Sequence, residues 1–193
     1  MGYTGLDGHQ PGFTLAIDRG GKLVDICANI TERWIELGYA WRIGDGYKTL
    51  AATTNKRLIT FKTPAAGNIY YAFADIQKSG SELTVILNEG GTVAGGAAIT
   101  PLNLNRALTT VNPFTYILGG LSTDGTPMTV TGGVVFPAKM LPGAAAGASS
   151  MPGCGSTGAV FIRLKNDTVY TIVMEAIGGA VTCTAMVDIA VTP

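Results

Sequence analysis

AVFIRLKNDTVYTIVMEAIGGAVTCTAMVDIAV, residues 159–191, is the stretch of this sequence that decides the fold. Near its end, apolar or small residues alternate with mostly polar ones. Side chains of a β-strand point alternately to opposite faces, so this pattern predicts a strand with one face in a core and one face outside. The inward series comprises Val181, Cys183, Ala185, Val187, Ile189 and Val191.

Two more strands are predicted upstream in the same stretch. Residues 160–165 alternate in the same way, and Asn166-Asp167 then forms a good turn pair, since both residues tolerate left-handed backbone. A third apolar run covers residues 168–175. Because Gly178-Gly179 is typical of a hairpin turn, the stretch predicts a three-strand antiparallel meander.

The same alternation continues through the earlier part of the chain. Strands are predicted at Arg57–Thr63, Asn68–Ile76 and Glu82–Asn88, with turns at Pro64–Gly67 and Lys78–Ser81. Shorter strands are predicted at Thr109–Val111, Thr115–Leu118, Met128–Thr131 and Val134–Phe136. About eight to ten short strands with frequent turns are typical of an all-β protein, either an antiparallel β-sandwich or a barrel. We predict the antiparallel β-sandwich.

The N-terminal part differs from the rest. Residues 1–20 contain five glycines and one proline, which predicts an extended arm, although alternation from Phe13 to Ile17 indicates a short strand. Asn29–Tyr39 is the one candidate helix, with Gly38 as a plausible stop. A twisted strand is the competing interpretation, because the aromatic and β-branched residues here also suit strands.

The composition favours assembly and argues against several classes of partner. The formal net charge is zero, 13% of residues are charged, and there are 27 glycines. An average globular protein has about 25% charged residues. Few cations make nucleic-acid binding unexpected, and no apolar run reaches the length of a membrane helix. Proteins near zero charge tend to associate, so we expect an oligomer; a monomer with a compact polar surface is the alternative.

The residues that carry chemistry are sparse. The three cysteines, Cys27, Cys154 and Cys183, are far apart and lack metal-binding spacing, which suits synthesis in a reducing cytoplasm. Cys183 falls on the predicted inner face, whereas Cys154 lies in a long loop of small residues, 141–158. His9 is the single histidine, and no triad is apparent around it. We therefore expect neither an enzyme nor a bound metal or cofactor.

Aromatic residues are concentrated at one place in the first third of the chain. Trp34, Tyr39, Trp41 and Tyr47 lie close together in the sequence. One interpretation is a surface that stacks on sugars or docks on a partner. The other is a set of core aromatics, which is the commoner use of such residues.

One segment resembles a known class of proteins. A Gly-rich turn at Glu89–Gly91 leads into Thr100-Pro-Leu-Asn-Leu-Asn-Arg106, followed later by a Gly/Ala loop near 143–158 and by Asn166-Asp-Thr-Val-Tyr170. This order of pieces resembles small virion proteins of tailed bacteriophages that decorate capsids or build fibres and tails. The resemblance extends from about residue 57 to 193, and residues 1–56 match nothing in it.

The resemblance implies a fold and a function. It implies a jelly-roll-like sandwich over residues 57–193, preceded by an anchoring region over residues 1–56 that includes the arm. The implied function is a capsid decoration or cement protein, made in the host cytoplasm, trimeric, and bound to the major capsid protein on the virion surface. A receptor- or carbohydrate-binding module of a tail or head fibre is the alternative. The expected partner-binding residues are Phe13, Trp34, Trp41 and Arg106.

Arg106 has two possible roles under this hypothesis. With Asn103 and Asn105 it would be architectural, since a buried arginine can bind carboxylates or carbonyls and asparagine side chains can bind strand-edge backbone. The alternative is an ordinary exposed loop arginine.

Overall fold

The protein is an all-β molecule in a computed structural model, which describes residues 14–17, 23–26, 34–44, 46, 48–51, 55–72, 75–123, 127–137, 139–141 and 161–193. The strands are β1 (Thr14–Ile17), β2 (Leu23–Ile26), β3 (Ala40–Gly44), β4 (Lys48–Leu50), β5 (Lys56–Lys62), β6 (Asn68–Ala72), β7 (Asp75–Glu89), β8 (Thr92–Ala94), β9 (Ala97–Ala98), β10 (Leu102–Asn103), β11 (Ile117–Leu121), β12 (Thr129–Thr131), β13 (Val134–Val135), β14 (Lys139–Leu141), β15 (Phe161–Leu164) and β16 (Val169–Thr192).

Strand β16 is the centre of the main sheet. It pairs antiparallel with β3, β4, β5, β6 and β7 within a curled sheet of 12 strands. Strands β8 and β12 form a separate small sheet, and β1 and β2 form another. The predicted all-β antiparallel sandwich is confirmed, and it agrees with the jelly-roll-like sandwich that the resemblance implies. Since β3 and β4 precede residue 57, the main sheet takes strands from both sides of the predicted division.

The predicted hairpin at Gly178-Gly179 is wrong, because β16 runs through both glycines. Ile177 pairs with Glu82 and Val181 with Gly80, so three residues of β16 lie opposite one residue of β7. This bulge shifts the alternation by one position. Even-numbered residues face the core before the bulge and odd-numbered residues after it, all at most 1% exposed: Tyr170, Ile172, Met174, Ala176, Val181, Cys183, Ala185, Val187 and Ile189.

The predicted turn at Lys78–Ser81 is also wrong, because β7 continues through it as the partner of β16. A Cβ atom on Gly80, whose φ is +94°, would lie 2.5 Å from the carbonyl oxygen of Ala180. The Lys78 ammonium donates to the carbonyl oxygen of Ser81 at 2.9 Å and so satisfies a backbone group at the bulge. The predicted meander fails too, since β15 pairs with β6 and not with β16.

Two apolar clusters lie on opposite faces of the main sheet. The larger one fills the inside of the curl and includes Ile59 and Phe61 of β5. The smaller one includes Leu58 of β5 and Val173 of β16, and it is covered by Met128 and by valines of β8 and β12. Strand β5 is therefore buried on both faces, and the small sheet forms the second layer.

A helical turn precedes β3, at residues 34–36. The amide of Gly38 donates to the oxygen of Ile35 at 2.9 Å, and the amide of Tyr39 donates to that of Trp34 at 2.8 Å. These two bonds, with φ +75° at Gly38, end the helix in a Schellman motif. Gly38 is thus the predicted stop, while the strand interpretation applies only from Ala40 onwards. The start of the predicted helix, with Thr31, lies outside the described residues.

Several shorter predictions are resolved as well. Strands at 57–63, 82–88, 115–118, 128–131 and 134–136 correspond to β5, part of β7, β11, β12 and β13. Residues 109–111 have no regular secondary structure, so that predicted strand is wrong. Of the predicted arm, residues 1–20, only 14–17 are described, and they form strand β1. The predicted loop, residues 141–158, lies outside the described residues except for Leu141, which ends β14.

Candidate functional site

The segment that carries the resemblance is fastened to the helical turn by two asparagines. Asn103 Nδ2 donates to the oxygen of Gly38 at 2.7 Å, and Asn105 Nδ2 donates to the oxygen of Glu36 at 2.8 Å. Each side-chain oxygen also accepts an amide two residues ahead, from Asn105 and Ala107 respectively. Helix ends leave carbonyls without intrahelical partners, and this asparagine clamp satisfies one of them, at Glu36, together with the carbonyl of the stop residue Gly38. The asparagines thus bind backbone, as predicted, but their target is the end of the helical turn and not a strand edge.

The asparagine clamp presents an apolar surface. Four of the seven exposed large hydrophobic residues in the described part of the chain come from the two segments that it joins. We call them the apolar patch: Leu37 (40% exposed), Leu102 (44%), Leu108 (46%) and Val111 (91%). Leu108 lies against the helix stop, since a Cβ on Gly38 would be 3.0 Å from Leu108 Cδ1. Exposed apolar residues concentrated in two joined segments are typical of interaction surfaces.

One negative and one positive residue flank the apolar patch. Glu36 and Arg106 are both exposed. Their backbones are adjacent, because Asn105 binds the oxygen of Glu36 and Arg106 follows Asn105. Of the two roles predicted for Arg106, the structure has the exposed one: its side chain is not part of the core.

The aromatic group divides between the surface and the core. Trp41 is 5% exposed, and its ring meets Phe114 edge to face with centroids 6.5 Å apart. Trp34 is half-buried and stacks on Tyr70, with centroids 5.1 Å apart and an angle of 19° between the rings. Within a single chain, only Trp34 of these two tryptophans reaches the surface. Phe13, the remaining predicted partner-binding residue, lies outside the described residues, as do Tyr47, His9, Cys27 and Cys154.

A buried cation joins the inside of the sheet to a loop. The fully buried Arg57 donates from Nη1 to the oxygen of Cys183 at 2.6 Å and from Nη2 to the oxygen of Gly46 at 2.8 Å. Burial lowers the pKa of Arg57, and the neighbouring Cys183 opposes that shift. Cys183 is buried, as predicted, and its Sγ is 3.7 Å from Arg57 Nη1. The guanidinium therefore serves as a two-point brace between β5, β16 and the residue 46 loop.

A second polar cluster closes the opposite end of β5. Tyr170 donates its hydroxyl proton to Glu89 Oε2 at 2.7 Å and accepts the amide of Lys165 at 2.9 Å. Lys165 Nζ is 2.6 Å from Glu89 Oε1. The hydrogen bond from Lys165 holds the pKa of Glu89 below its ordinary value, whereas burial and the bond to Glu89 raise the pKa of Tyr170. The phenol thus stays protonated and links a strand end to a turn.

Cross-strand polar pairs occur elsewhere on β16. Arg42 and Asp188 are direct neighbours in the β3–β16 ladder and form a two-bond ion pair with both distances at 2.7 Å. Thr60 and Thr171 bond through their hydroxyls at 2.8 Å inside the sheet. These pairs fix the register of the central strand and leave no reacting geometry of their own.

The described residues contain no group of three or more His, Cys, Asp or Glu side chains placed to hold a metal ion. Within the same residues, no helix is long and apolar enough to cross a membrane. Comparisons of the chain with protein families, with characterised proteins and with solved structures found no significant match.

Sequence reasoning missed two of these features. Arg57 stands at the start of an alternating run, where a charged residue is typical of a solvent-exposed strand end. Leu37 and Leu108 are apolar and resemble core residues in any pattern. The one available signal was the pair of asparagines two positions apart, because asparagines commonly bind their own main chain two residues ahead.

Proposed function

We propose that this chain is a structural protein of a tailed-bacteriophage virion, which decorates and stabilises the outer capsid shell as a homo-oligomer, a trimer. Its partner in this proposal is the major capsid protein, and its location is the capsid surface. The proposal is supported by the resemblance of residues 57–193 to virion proteins and by the exposed apolar residues at the surface. It assigns the chain a binding role and no reaction.

One observation carries the proposal: the segment on which the resemblance rests acts as scaffold. Asn103 and Asn105 fasten their own segment to the helical turn, and Leu37, Leu102 and Leu108 are exposed close to these two bonds in the sequence. A preorganised apolar surface binds a partner at a lower entropic cost than a mobile one. The low charge of the chain also supports permanent assembly.

The rigidity of the sheet supports the same role. The main sheet has its central strand braced from inside by Arg57 and at one end by the Glu89, Lys165 and Tyr170 cluster. A cement protein must transmit load between capsomers without opening, so stiff antiparallel pairing over many residues suits it.

The test is binding to capsids of the parent phage that lack this protein. We expect the purified chain to co-sediment with the shells and to raise the temperature at which they release DNA. Shells of an unrelated phage are the control. Failure to co-sediment at concentrations well above about 10 µM, which corresponds to roughly 7 kcal/mol of binding free energy, would remove the proposal.

A second candidate, a carbohydrate- or receptor-binding module of a phage fibre, is favoured by Trp34. Its ring lies at the surface, on the platform formed by Tyr70. Stacking on exposed aromatic rings is a common way to bind sugars. Glycan-array binding that is lost in Trp34→Ala and kept in Tyr70→Phe would favour this candidate, whereas Trp41→Ala is unsuitable because Trp41 is in the core.

A further inference from the structure

We propose that residues 109–112 form an unpaired strand edge, to which an extended, uncharged strand of the partner protein adds through main-chain hydrogen bonds. The inference rests on the proposed function for the source of that strand, which is the major capsid protein. It names the segment that binds and the way in which it binds. In strand addition to an exposed edge, the main chain supplies affinity and the neighbouring side chains supply specificity.

The first argument is the extended form of the segment. Leu108 and Thr110 both lie against the helix stop, since a Cβ on Gly38 would be 3.0 Å from Leu108 Cδ1 and 3.0 Å from Thr110 Cγ2. Thr109 and Val111 are exposed, Val111 by 91%. Side chains that alternate between two sides are a property of extended backbone, and from Thr109 onwards this run has no turn or bend.

The second argument is the unpaired main chain of the segment. No described residue forms a hydrogen bond with the amides or carbonyls of Thr109, Thr110 and Val111. An extended backbone with free amides and carbonyls is a template for another strand. The sequence Thr-Thr-Val also has a high strand propensity, because all three residues are β-branched. The strand that the sequence predicts here therefore lacks only a neighbour to pair with.

The third argument is that the segment is fixed at both ends. At one end, Asn105 is bound to the helical turn, and its Oδ1 accepts the amide of Ala107 at 3.0 Å. At the other end, Asn112 Oδ1 accepts the amide of Phe114 at 3.0 Å, and the Phe114 ring is buried against Trp41. Because Asn112 precedes a proline, its backbone favours extended conformations. A backbone held in this way loses little entropy when a strand binds.

The composition of the segment selects the kind of strand that it fits. Residues 107–115 contain no charged side chain. A charged side chain placed opposite Thr109 or Val111 would lose hydration and gain no partner, whereas threonine and β-branched side chains form favourable cross-strand pairs. Pro113 has no amide and ends the edge, so the pairing covers about four residues. The occupant is therefore a short, uncharged strand rich in threonine and β-branched residues.

Hydrogen–deuterium exchange of the full chain, free and bound to shells of the parent phage that lack this protein, tests the inference. The amides at 109–111 should exchange as in an unstructured peptide when the chain is free, and roughly tenfold or more slowly when it is bound. Amides of β5, which is paired on both sides, are the control and should exchange alike in both states. Absence of slowing on binding overturns the inference. Protection that is already present in the free chain also overturns it, and protection that rises with concentration would identify a second copy as the occupant.

A proline substitution tests the main-chain contact itself. Val111→Pro removes an amide that bonds to no described residue, and it should weaken binding to the shells by roughly tenfold or more. Val111→Thr is the matched control: it keeps both the amide and the β-branch, so binding should stay within about threefold of wild type. Circular dichroism and thermal unfolding verify that each variant is folded. A folded Val111→Pro protein that binds shells like wild type overturns the inference.

A peptide probe separates this inference from the proposed function. The peptide acetyl-Gly-Thr-Val-Thr-Val-Gly-amide is added to the isotope-labelled full chain, up to about 10 mM, and the amide signals are followed by NMR. Shifts at residues 109–111 that are absent in Val111→Pro support the strand edge even if the chain ignores shells, a result that removes only the cement role. No shift at these residues overturns the strand edge whatever the shells do.

Discussion

Removing the hydroxyl of Tyr170 tests the account of the cluster at the end of β5. Tyr170→Phe keeps the buried ring, which stacks on Phe61 with centroids 5.9 Å apart, and deletes only the oxygen. The Glu89 carboxylate then loses one donor, and the Lys165 amide loses its acceptor. The ion pair from Lys165 Nζ to Glu89 remains.

The expected loss of unfolding free energy is about 2–3 kcal/mol. A hydrogen bond to a charged group contributes about 1.5–3 kcal/mol and one between neutral groups about 0.5–1.5 kcal/mol. We take the lower half of the sum because the Glu89 side chain is 12% exposed and water can partly replace the lost donor. With a urea dependence of about 1–3 kcal/mol per molar, the unfolding midpoint should fall by roughly 1 M.

The effect should depend on pH. Because the folded-state pKa of Glu89 is lowered, its stabilisation is present above the ordinary carboxyl pKa and is lost as the pH falls through the folded value. The difference between wild type and Tyr170→Phe should therefore shrink in acid. The pKa of Tyr170 is raised, so wild type should also lose stability above about pH 10, where the phenol of the unfolded chain ionises.

Urea unfolding followed by tryptophan fluorescence at pH 7 and pH 3 measures both effects. Tyr70→Phe is the control: it keeps the ring that stacks on Trp34, and it should change stability by less than about 0.5 kcal/mol. The reasoning is refuted if Tyr170→Phe unfolds at the same urea concentration as wild type, or if the difference in stability between the two proteins is equally large at both pH values.

Three further predictions concern the bulge, the buried arginine and the asparagine clamp, each measured by chemical denaturation. Gly80→Ala should lower the free energy of unfolding by more than about 2 kcal/mol, because its Cβ would meet a backbone oxygen. Gly178→Ala, which has open space around its Cβ at φ +77°, should lower it by about 1 kcal/mol, and equal losses in the two variants would contradict this account of the bulge. Arg57→Met should cost about 2–4 kcal/mol because two carbonyls lose their donor, and unchanged stability would show that the brace contributes nothing. Asn103→Ala should lower the free energy of unfolding by about 1–3 kcal/mol and speed hydrogen exchange at the Asn105 amide. Unchanged exchange at this amide would show that the Asn103 side chain does not hold it.

Sequence alone predicted the faces of the strands better than their partners. The alternation in residues 181–189 gave the buried side chains correctly, because the pleat of a strand is a local property, whereas Val191 is only partly buried and Ala190 of the outer series is buried. A glycine pair between two runs of opposite phase fits either a hairpin or a bulge. The choice depends on whether a neighbouring strand is long enough to pair with both runs, and β7 is.

The candidate site shows the same limit. Asn103 and Asn105 were expected to bind backbone, since short amide side chains commonly do. Their targets at Gly38 and Glu36 lie in a segment distant in sequence, which no local pattern identifies. The exposure of Val111 could not be predicted either, because the identity of an apolar residue does not show whether its side chain is buried in a core or exposed at the surface.

The position of β16 in the chain dictates an order of folding. This strand pairs with five others, and its contacts reach far back, as in the Arg42–Asp188 pair, which is 146 residues apart. On a growing chain, β5 and β7 are therefore finished long before residues 169–192 are available to lie between them, and each has unpaired edges meanwhile. Such edges invite association with other chains, and lysines at the ends of β5, Lys56 and Lys62, are residues that discourage it. Closure of the sheet is then a late, cooperative step, so expression yield should depend on how long nascent chains wait for residues 169–192 as much as on final stability.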